Sequence, residues 1–249
     1  MQKIYKEELT LRMAECDVAG QWRPGAILTT LQEVGAAHAE LLGLGRQSLI
    51  TRNHAWIIAR TEYRLDRCPN MSERISVETF PTQTRRWFFP RYFILRDDRG
   101  ERIGCAGTLW AVLDLTTRKM VAPEDYARLL PDNRDLPAPL GLPCAVTEVG
   151  AAAETAERLP TYSDLDANGH VNNTRYADWC CDALGIDTMR GSYLQHLVIN
   201  YNQEVRPGDR ITTRLGRCDN DFSYTGFSGD TRRFDIGGTL APRTGRIGD

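Results

Sequence analysis

The chain repeats one motif within itself, and this repeat constrains its fold more than any other feature of the sequence. The segment Tyr63-Arg-Leu-Asp-Arg-Cys-Pro69 aligns without a gap with Tyr201-Asn-Gln-Glu-Val-Arg-Pro207, so Asp66 corresponds to Glu204. Self-similarity of this kind indicates that one structural unit occurs twice and that the copies pack against each other. The chain has 249 residues, which is long enough for each copy to bury a core.

The first half has the pattern of a long helix followed by an antiparallel sheet. Between Pro24 and Gly43, apolar residues recur every three or four positions, with a proline near the first turn and a glycine after the last. Segments rich in β-branched and aromatic residues follow, and Asp98-Arg99-Gly100 is typical of a hairpin turn between two of them. The predicted strands are 55–66, 73–83, 87–97 and 103–115.

The second half repeats this order of elements. Four of the twelve prolines lie between Pro131 and Pro143, and this stretch is typical of a linker. We therefore divide the chain into a first unit, a linker and a second unit, at 1–131, 132–150 and 151–249. The elements predicted in the second unit are a strand at 155–163, a helix from Asn172 to Leu184, and strands at 193–204, 209–217, 221–228 and 232–241.

These patterns predict an α+β fold, a tandem double hotdog. In each half a curved antiparallel sheet would wrap a long apolar helix, and the two units would pair into one larger sheet. Two independent α+β domains without a joint sheet are the alternative that the same order of elements allows.

Composition excludes several classes of protein. The 41% hydrophobic content excludes disorder, and a net charge of -2 gives no overall basic field for nucleic acid. Because no apolar run resembles a signal segment or a membrane span, we expect a cytosolic protein without membrane insertion. The seven cysteines include no C-x-x-C pair, so we expect reduced thiols and no metal site.

A second alignment within the repeat locates the candidate chemistry. The second half has Asp166, Asn168 and His170. At the matching positions the first half has Asp17, Ala19 and Gln21, so the two halves share only the carboxylate and only the second half has the imidazole. Asn172 and Asn173 follow at a predicted helix start, where free backbone N–H groups favour anions and could also position a substrate. A carboxylate, an amide and an imidazole so close together could activate a water molecule against a carbonyl, with Glu204 as a second carboxylate.

Several segments resemble the acyl-acyl carrier protein thioesterases of plants and bacteria. The longest runs from Leu165 through Asp-Ala-Asn-Gly-His-Val-Asn-Asn-Thr-Arg-Tyr-Ala-Asp to Trp179, and Asn200-Tyr-Asn-Gln-Glu204 follows it. In the first half, Trp56-Ile-Ile-Ala-Arg60 and Leu109-Trp-Ala-Val-Leu-Asp-Leu-Thr-Thr-Arg118 are similar to the first hotdog of that family. The resemblance spans nearly the whole chain.

This resemblance implies hydrolysis of the thioester between a fatty acyl chain and the phosphopantetheine arm of acyl carrier protein, without a metal or dissociable cofactor. It places the catalytic residues of the family at Asp166, Asn168, His170 and Glu204. Many plant members have a cysteine after that glutamate, and Val205 here excludes a cysteine acyl-enzyme at that position. Whether Asp166 or Glu204 is the base, or whether Asp166 attacks directly, stays open.

Other functions and roles are weighed beside this one. An acyl-CoA thioesterase, a hydroxyacyl dehydratase of the same fold and a non-catalytic acyl-binding module are the alternatives. Two copies of the whole chain could also pair as a homodimer. We expect His38 to be a packed core residue and Glu33 to be a weaker candidate acid. An apolar pocket for the acyl chain is expected between the first helix and its sheet. Candidates for contact with an acidic carrier are Arg85-Arg86-Trp87 and Arg232-Arg233.

Overall fold

The fold was obtained as a computed structural model, which describes residues 2–243. Its first half contains a long helix, two short helices and five strands. Short 3-10 turns lie at Met13–Glu15 and, in the second half, at Tyr162–Asp164. The elements of the first half are β1 (Tyr5–Thr10), α1 (Pro24–Leu41), α2 (Arg46–Ile50), β2 (His54–Leu65), β3 (Arg74–Pro81), β4 (Phe89–Asp97), β5 (Arg102–Asp114) and α3 (Glu124–Ala127).

The second half has the same plan with a shorter central helix. Its elements are β6 (Ala153–Glu154), α4 (Arg175–Leu184), α5 (Ile186–Gly191), β7 (Ser192–Tyr201), β8 (Thr212–Cys218), β9 (Asp221–Ser228) and β10 (Thr231–Pro242). Apart from the strand expected at 155–163, the predicted strands from 55–66 to 232–241 are confirmed within three residues at each end. The predicted turn between β4 and β5 is also confirmed, and Gly100 there has φ +83°.

All ten strands join one antiparallel sheet in the order β1-β3-β4-β5-β2-β7-β10-β9-β8-β6. The halves meet where β2 pairs with β7, with Thr61 opposite Ile199 and Arg64 opposite His196. A single core cluster contains residues of both halves. The tandem double hotdog is therefore confirmed, and the alternative of two domains without a joint sheet is wrong.

The helices α1 and α4 lie against one face of this sheet. Pro24 occupies the first turn of α1, and the buried stripe of the helix includes Ile27, Leu31 and Val34. The carboxylate of Asp178 on α4 lies over the first turn of α1, so closely that a Cβ at Gly25 would collide with it. A carboxylate at this end complements the helix dipole.

Two predicted elements need correction. The strand expected at 155–163 is wrong: β6 ends at Glu154, and within the predicted range only an isolated bridge joins Arg158 to Ile211. The hydroxyl of Thr213 donates to Ala156 O and interrupts the ladder between them. The helix expected from Asn172 begins at Arg175, because the chain before it is paired with neighbouring segments: Val171 forms a β-bridge with Leu165, and Asn172 N donates to Asp164 O.

The proline-rich stretch 132–150 contains neither helix nor strand and runs over the outer face of the sheet. Asn133 Nδ2 donates to Pro81 O at 2.8 Å, Arg60 Nη1 donates to Pro143 O at 3.2 Å, and Ser223 Oγ accepts from Val149 N at 3.1 Å. Proline lacks an N–H donor and so does not extend the sheet. The segment thus covers a surface to which both halves contribute.

The sequence also raised expectations about the cysteines, membrane-spanning helices and metal sites. All seven cysteines are free thiols. Among the helices of residues 2–243, none combines the length and apolar content that a membrane crossing needs. In that same range, His, Cys, Asp and Glu side chains form no group of three that could hold a metal ion.

Candidate active site

The loop that carries Asp166, Asn168 and His170 is a tight turn between a 3-10 turn and α4. Asp166 N donates to His170 O at 2.9 Å and Gly169 N donates to Asp166 O at 3.0 Å. Gly169 has φ +76°, a conformation that side chains with a Cβ rarely adopt. The glycine between Asn168 and His170 therefore allows the turn that brings their side chains together.

The carboxylate of Asp166 is held by its own loop. Its Oδ1 accepts from Asn168 N at 2.8 Å and from His170 N at 3.4 Å, while Asn168 Nδ2 lies 3.4 Å from Oδ2. Hydrogen bonds from backbone N–H groups orient a carboxylate. Asp166 and Asn168 both line the same cleft as His170.

Glu204 meets His170 from the segment that follows β7. The distance from His170 Nε2 to Glu204 Oε2 is 3.4 Å, and both side chains are partly exposed. Arg118 Nη2 donates to Oε1 at 2.8 Å, and Arg206 Nη2 donates to Oε2 at 2.9 Å. Burial alone would raise the pKa of Glu204, but these two hydrogen bonds and the charge at His170 lower it below its ordinary value. The structure thus holds Glu204 ionised beside His170.

Arg118 belongs to the first half of the chain and was not predicted as a site residue. It lies in the turn after β5, with φ +57°, and crosses to Glu204 in the second half. No local pattern in the sequence relates these residues, because the pairing of β2 with β7 creates the contact. Arg206, two residues after Glu204, was equally missed.

The expectation that free N–H groups at the helix start form an anion site is wrong for most of these groups. Val171 N and Asn172 N donate to backbone oxygens, and Thr174 N donates to Asn172 Oδ1 at 3.0 Å. Asn172 therefore caps the segment before α4, while Asn173 O accepts from Tyr201 Oη at 3.2 Å. Both asparagines line the cleft, and their role in substrate positioning stays a prediction.

A cleft of about 1690 Å³ begins at these polar residues and continues into the first half. Its walls come from α1 and from β2, β4 and β5, the region where the sequence predicts an apolar pocket. Most of the exposed lining is apolar, and it includes Leu28, Leu31, Trp56, Phe93 and Trp110. The cleft joins a polar mouth to an apolar interior.

Three other candidate residues, His38, Glu33 and Arg232, do not line the cleft, whereas Arg233 lines it beside Glu204. His38 is fully buried and donates through Nε2 to Gln2 O at 3.1 Å, which confirms its prediction as a core residue. Glu33 is exposed and does not line the cleft. Arg232 is bonded to Asp235 and Glu148, and Arg233 to Gln203 Oε1 and Glu204 O, so both arginines are engaged within the chain.

The ten-stranded sheet and the single polar site at the mouth of an apolar cleft place this chain in the double-hotdog class. Residues 2–129 match the acyl-ACP thioesterase N-terminal domain, and residues 149–227 match the acyl-ACP thioesterase C-terminal domain. The chain belongs to the acyl-ACP thioesterase family.

Relatives and solved structures agree with this assignment. The chain is 25% identical over 224 residues to an oleoyl-acyl carrier protein thioesterase of Coriandrum sativum and 21% identical over 221 residues to a palmitoyl-acyl carrier protein thioesterase of Arabidopsis thaliana. These alignments cover 83% and 81% of this chain but 61% and 52% of the relatives. The chain thus spans about half to three fifths of the length of the curated relatives it matches.

Solved structures align over nearly the whole chain. An acyl-ACP thioesterase from Bacteroides thetaiotaomicron has a TM-score of 0.87 at 25% identity, with 96% of this chain and 98% of that chain covered. The 12:0-ACP thioesterase from Umbellularia californica has a TM-score of 0.80 at 17% identity, with 96% and 98% covered, and shows the same fold.

Proposed function

We propose that this protein hydrolyses the thioester of fatty acyl-acyl carrier protein to a free fatty acid and holo-acyl carrier protein. One observation carries the proposal: Asp166, Asn168, His170 and Glu204 converge at the mouth of a long, largely apolar cleft. A thioester at this mouth would place its acyl chain in the cleft, where burial of each methylene contributes about 0.8 kcal/mol to binding.

The contacts support a different role in the reaction for each of the four residues. Asp166 takes a proton from water, whose oxygen attacks the thioester carbonyl carbon, and Asn168 Nδ2 donates to the developing oxyanion. The C–S bond then breaks, and His170, held by ionised Glu204, protonates the leaving thiolate. The lowered pKa of Glu204 makes it a weak base, so its role is to orient His170.

Direct attack by Asp166 is the second route, and it would form an acyl anhydride with that carboxylate. Turnover in heavy-oxygen water detects the anhydride, because attack of water on its Asp166 carbonyl leaves label in that side chain. Mass spectrometry of the peptide that contains Asp166 detects this label. Label in that peptide establishes direct attack by Asp166, whereas label in the fatty acid alone is produced by attack of water on the thioester or on the acyl carbon of the anhydride.

The carrier is the part of the substrate outside the cleft. Arg85 and Arg86 are exposed in the β3–β4 loop beside Trp87, which is 48% exposed, so this tip offers positive charge and apolar surface to an acidic protein. We expect Arg85→Glu with Arg86→Glu to lower kcat/KM on acyl carrier protein thioesters and to leave the matched acyl-CoA rate unchanged. The control is Arg99→Glu in the exposed β4–β5 turn.

The same substrates test the alternatives. Higher kcat/KM on acyl-CoA than on the matched carrier thioester would favour an acyl-CoA thioesterase, and tight acyl binding without thiol release would favour a binding module. An enoyl product from a hydroxyacyl thioester would indicate a dehydratase. Independence of a metal or dissociable cofactor, a cytosolic location and a homodimer stay predictions, and unchanged turnover after dialysis against a chelator is the expected result for the first.

A further inference from the structure

A buried arginine lies in the floor of the cleft, on the strand β4 of the first half. Arg91 is only 9% exposed and lines the cleft beside Phe93. The helix α1 passes directly over it, since a Cβ at Gly35 would lie 3.3 Å from Arg91 Cδ. The guanidinium is thus covered by the helix and faces the space that an acyl chain would enter.

The charge of Arg91 has no counter-charge in residues 2–243. Its Nη1 donates to His38 Nδ1 at 3.0 Å and lies 3.3 Å from Thr79 Oγ1. His38 donates its other ring nitrogen to Gln2 O, and burial together with the Arg91 charge lowers the pKa of His38 to about 4, so its ring is a neutral acceptor. Burial also lowers the pKa of Arg91 to about 10, which leaves the guanidinium charged at neutral pH.

Three donor positions of Arg91 are left for a ligand. A guanidinium has five N–H donors, and those on Nε and Nη2 form no hydrogen bond with the part of the chain described here. The protein does not enclose these two nitrogens completely, and Arg91 lines the cleft, so a ligand in the cleft can bind them. An unpaired buried charge is costly, and an acceptor oxygen supplied by a ligand would offset that cost.

Arg91 ends a row of polar side chains across the inner face of the sheet. Thr61 on β2 pairs with Thr108 on β5, and Thr108 pairs with Arg91 on β4, all buried and all lining the cleft. β4 lies three strands from β7, which precedes Glu204, or roughly 14 Å along the sheet at about 4.8 Å per strand. Arg91 is therefore remote from the reacting carbonyl.

We infer that Arg91 selects acyl chains that carry an acceptor oxygen, a hydroxyl or a carboxylate, at a position remote from the thioester. This inference rests on the proposed function and adds a substrate class to it. A plain hydrocarbon chain leaves the free N–H donors without a protein or substrate acceptor, whereas an oxygenated chain satisfies them. A terminal carboxylate would in addition neutralise the buried charge.

The test compares dodecanoyl thioesters of acyl carrier protein that are plain, hydroxylated in mid-chain, hydroxylated at the terminus, or carry a terminal carboxylate. The wild type is expected to favour one oxygenated chain, and Arg91→Met is expected to reduce the ratio of oxygenated to plain kcat/KM by about 10-fold to 100-fold, as for a hydrogen bond to a charged group. Arg91→Lys keeps the charge and should retain part of the ratio. Arg99→Met is the surface control.

Dissociation constants of the corresponding free fatty acids, measured by calorimetry, give a second readout that needs no turnover. If the wild type releases thiol from none of the thioesters, the proposed function fails, and the ratio of these constants still decides the role of Arg91. The inference is overturned if the wild type prefers the plain chain in both assays. It is also overturned if folded Arg91→Met has the same ratios of oxygenated to plain kcat/KM and of dissociation constants as the wild type. Should Arg91→Met not fold, the wild-type preference and Arg91→Lys decide.

Discussion

Arg243, at the end of β10, donates to Asp17 Oδ2 at 2.5 Å, and Asp17 is the counterpart of Asp166 in the first half. The two loops share a backbone turn, since Asp17 N donates to Gln21 O at 2.8 Å just as Asp166 N donates to His170 O at 2.9 Å. Arg243 and Asp17 side chains are 6% and 16% exposed. The first-half carboxylate is thus committed to an internal ion pair, while Asp166 faces the cleft.

Removal of Arg243 should destabilise the fold and leave turnover intact. Arg243→Met leaves Asp17 as a buried, unpaired carboxylate and also removes hydrogen bonds to Gln21 and Met189, so we expect a loss of about 3–5 kcal/mol in the free energy of unfolding. Urea unfolding measures it. Arg190→Met, which breaks an exposed pair with Asp187, should cost less than about 1 kcal/mol. Equal losses in the free energy of unfolding of both variants would contradict a strongly stabilising ion pair between Arg243 and Asp17.

Arg118 should control the protonation of Glu204. Without its hydrogen bond, the pKa of Glu204 rises towards the ordinary value, so the carboxylate is protonated at a higher pH. In Arg118→Met we therefore expect kcat to decline at a higher pH than in the wild type, as the pH falls through the ordinary value of 4.5. Arg210→Met, which removes a surface pair with Glu157, serves as the control. Superimposable pH profiles for Arg118→Met and the wild type would refute this role.

Glu62 should couple stability to pH across the junction of the halves. It is 4% exposed, and its Oε1 lies 3.0 Å from His196 Nε2 on β7. Burial alone would raise the pKa of Glu62, but the contacts with His196 and Arg64 lower it. A lowered carboxyl pKa contributes stability that is present above the ordinary value of 4.5 and lost as the pH falls through the lowered pKa.

Glu62→Gln should therefore be less stable than the wild type at neutral pH, by about 1–3 kcal/mol. The difference should shrink as the pH falls below 4.5, where the wild-type carboxylate begins to lose its charge. Unfolding curves of both proteins over this range measure it. A stability difference between the two proteins that grows towards acid pH would contradict a lowered pKa of Glu62.

The width of the cleft should determine the preferred length of the acyl chain. Ala36 lines the cleft on the accessible side of α1, so Ala36→Phe narrows it with little effect on the core. We expect kcat/KM for long chains to fall by roughly tenfold relative to short ones, since two excluded methylenes lose about 0.8 kcal/mol each. Glu33→Phe, exposed on the same helix and outside the cleft, is the control. A uniform loss across all chain lengths would argue against this path for the chain.

The sequence predicted most of the fold because periodicity and repetition are local signals. Apolar spacing located α1, segments rich in β-branched and aromatic residues located eight of the ten strands, and the aligned motifs revealed the double unit. The strand expected at 155–163 failed because a side chain, Thr213, replaces a ladder hydrogen bond there. Such competition depends on tertiary contacts that a local pattern does not contain.

The candidate site also contains residues that the sequence predicted and contacts that it did not. The turn around Gly169 brings together Asp166, Asn168 and His170, which lie close in the sequence and could be read from it. The contact of Arg118 with Glu204, and that of Arg243 with Asp17, join distant segments and follow only from the sheet order. The roles of the predicted catalytic residues stay predictions until turnover is measured.

Thiol release from acyl carrier protein thioesters tests the central claim most directly. The wild type is compared with His170→Ala and with Gln21→Ala, the matched position of the first half, and circular dichroism verifies folding. We predict that the wild type and Gln21→Ala release thiol and that folded His170→Ala is slower by about 10²–10⁴. Absence of thiol release from the wild type on every chain, or full activity in His170→Ala, would contradict a thioesterase site in the second half.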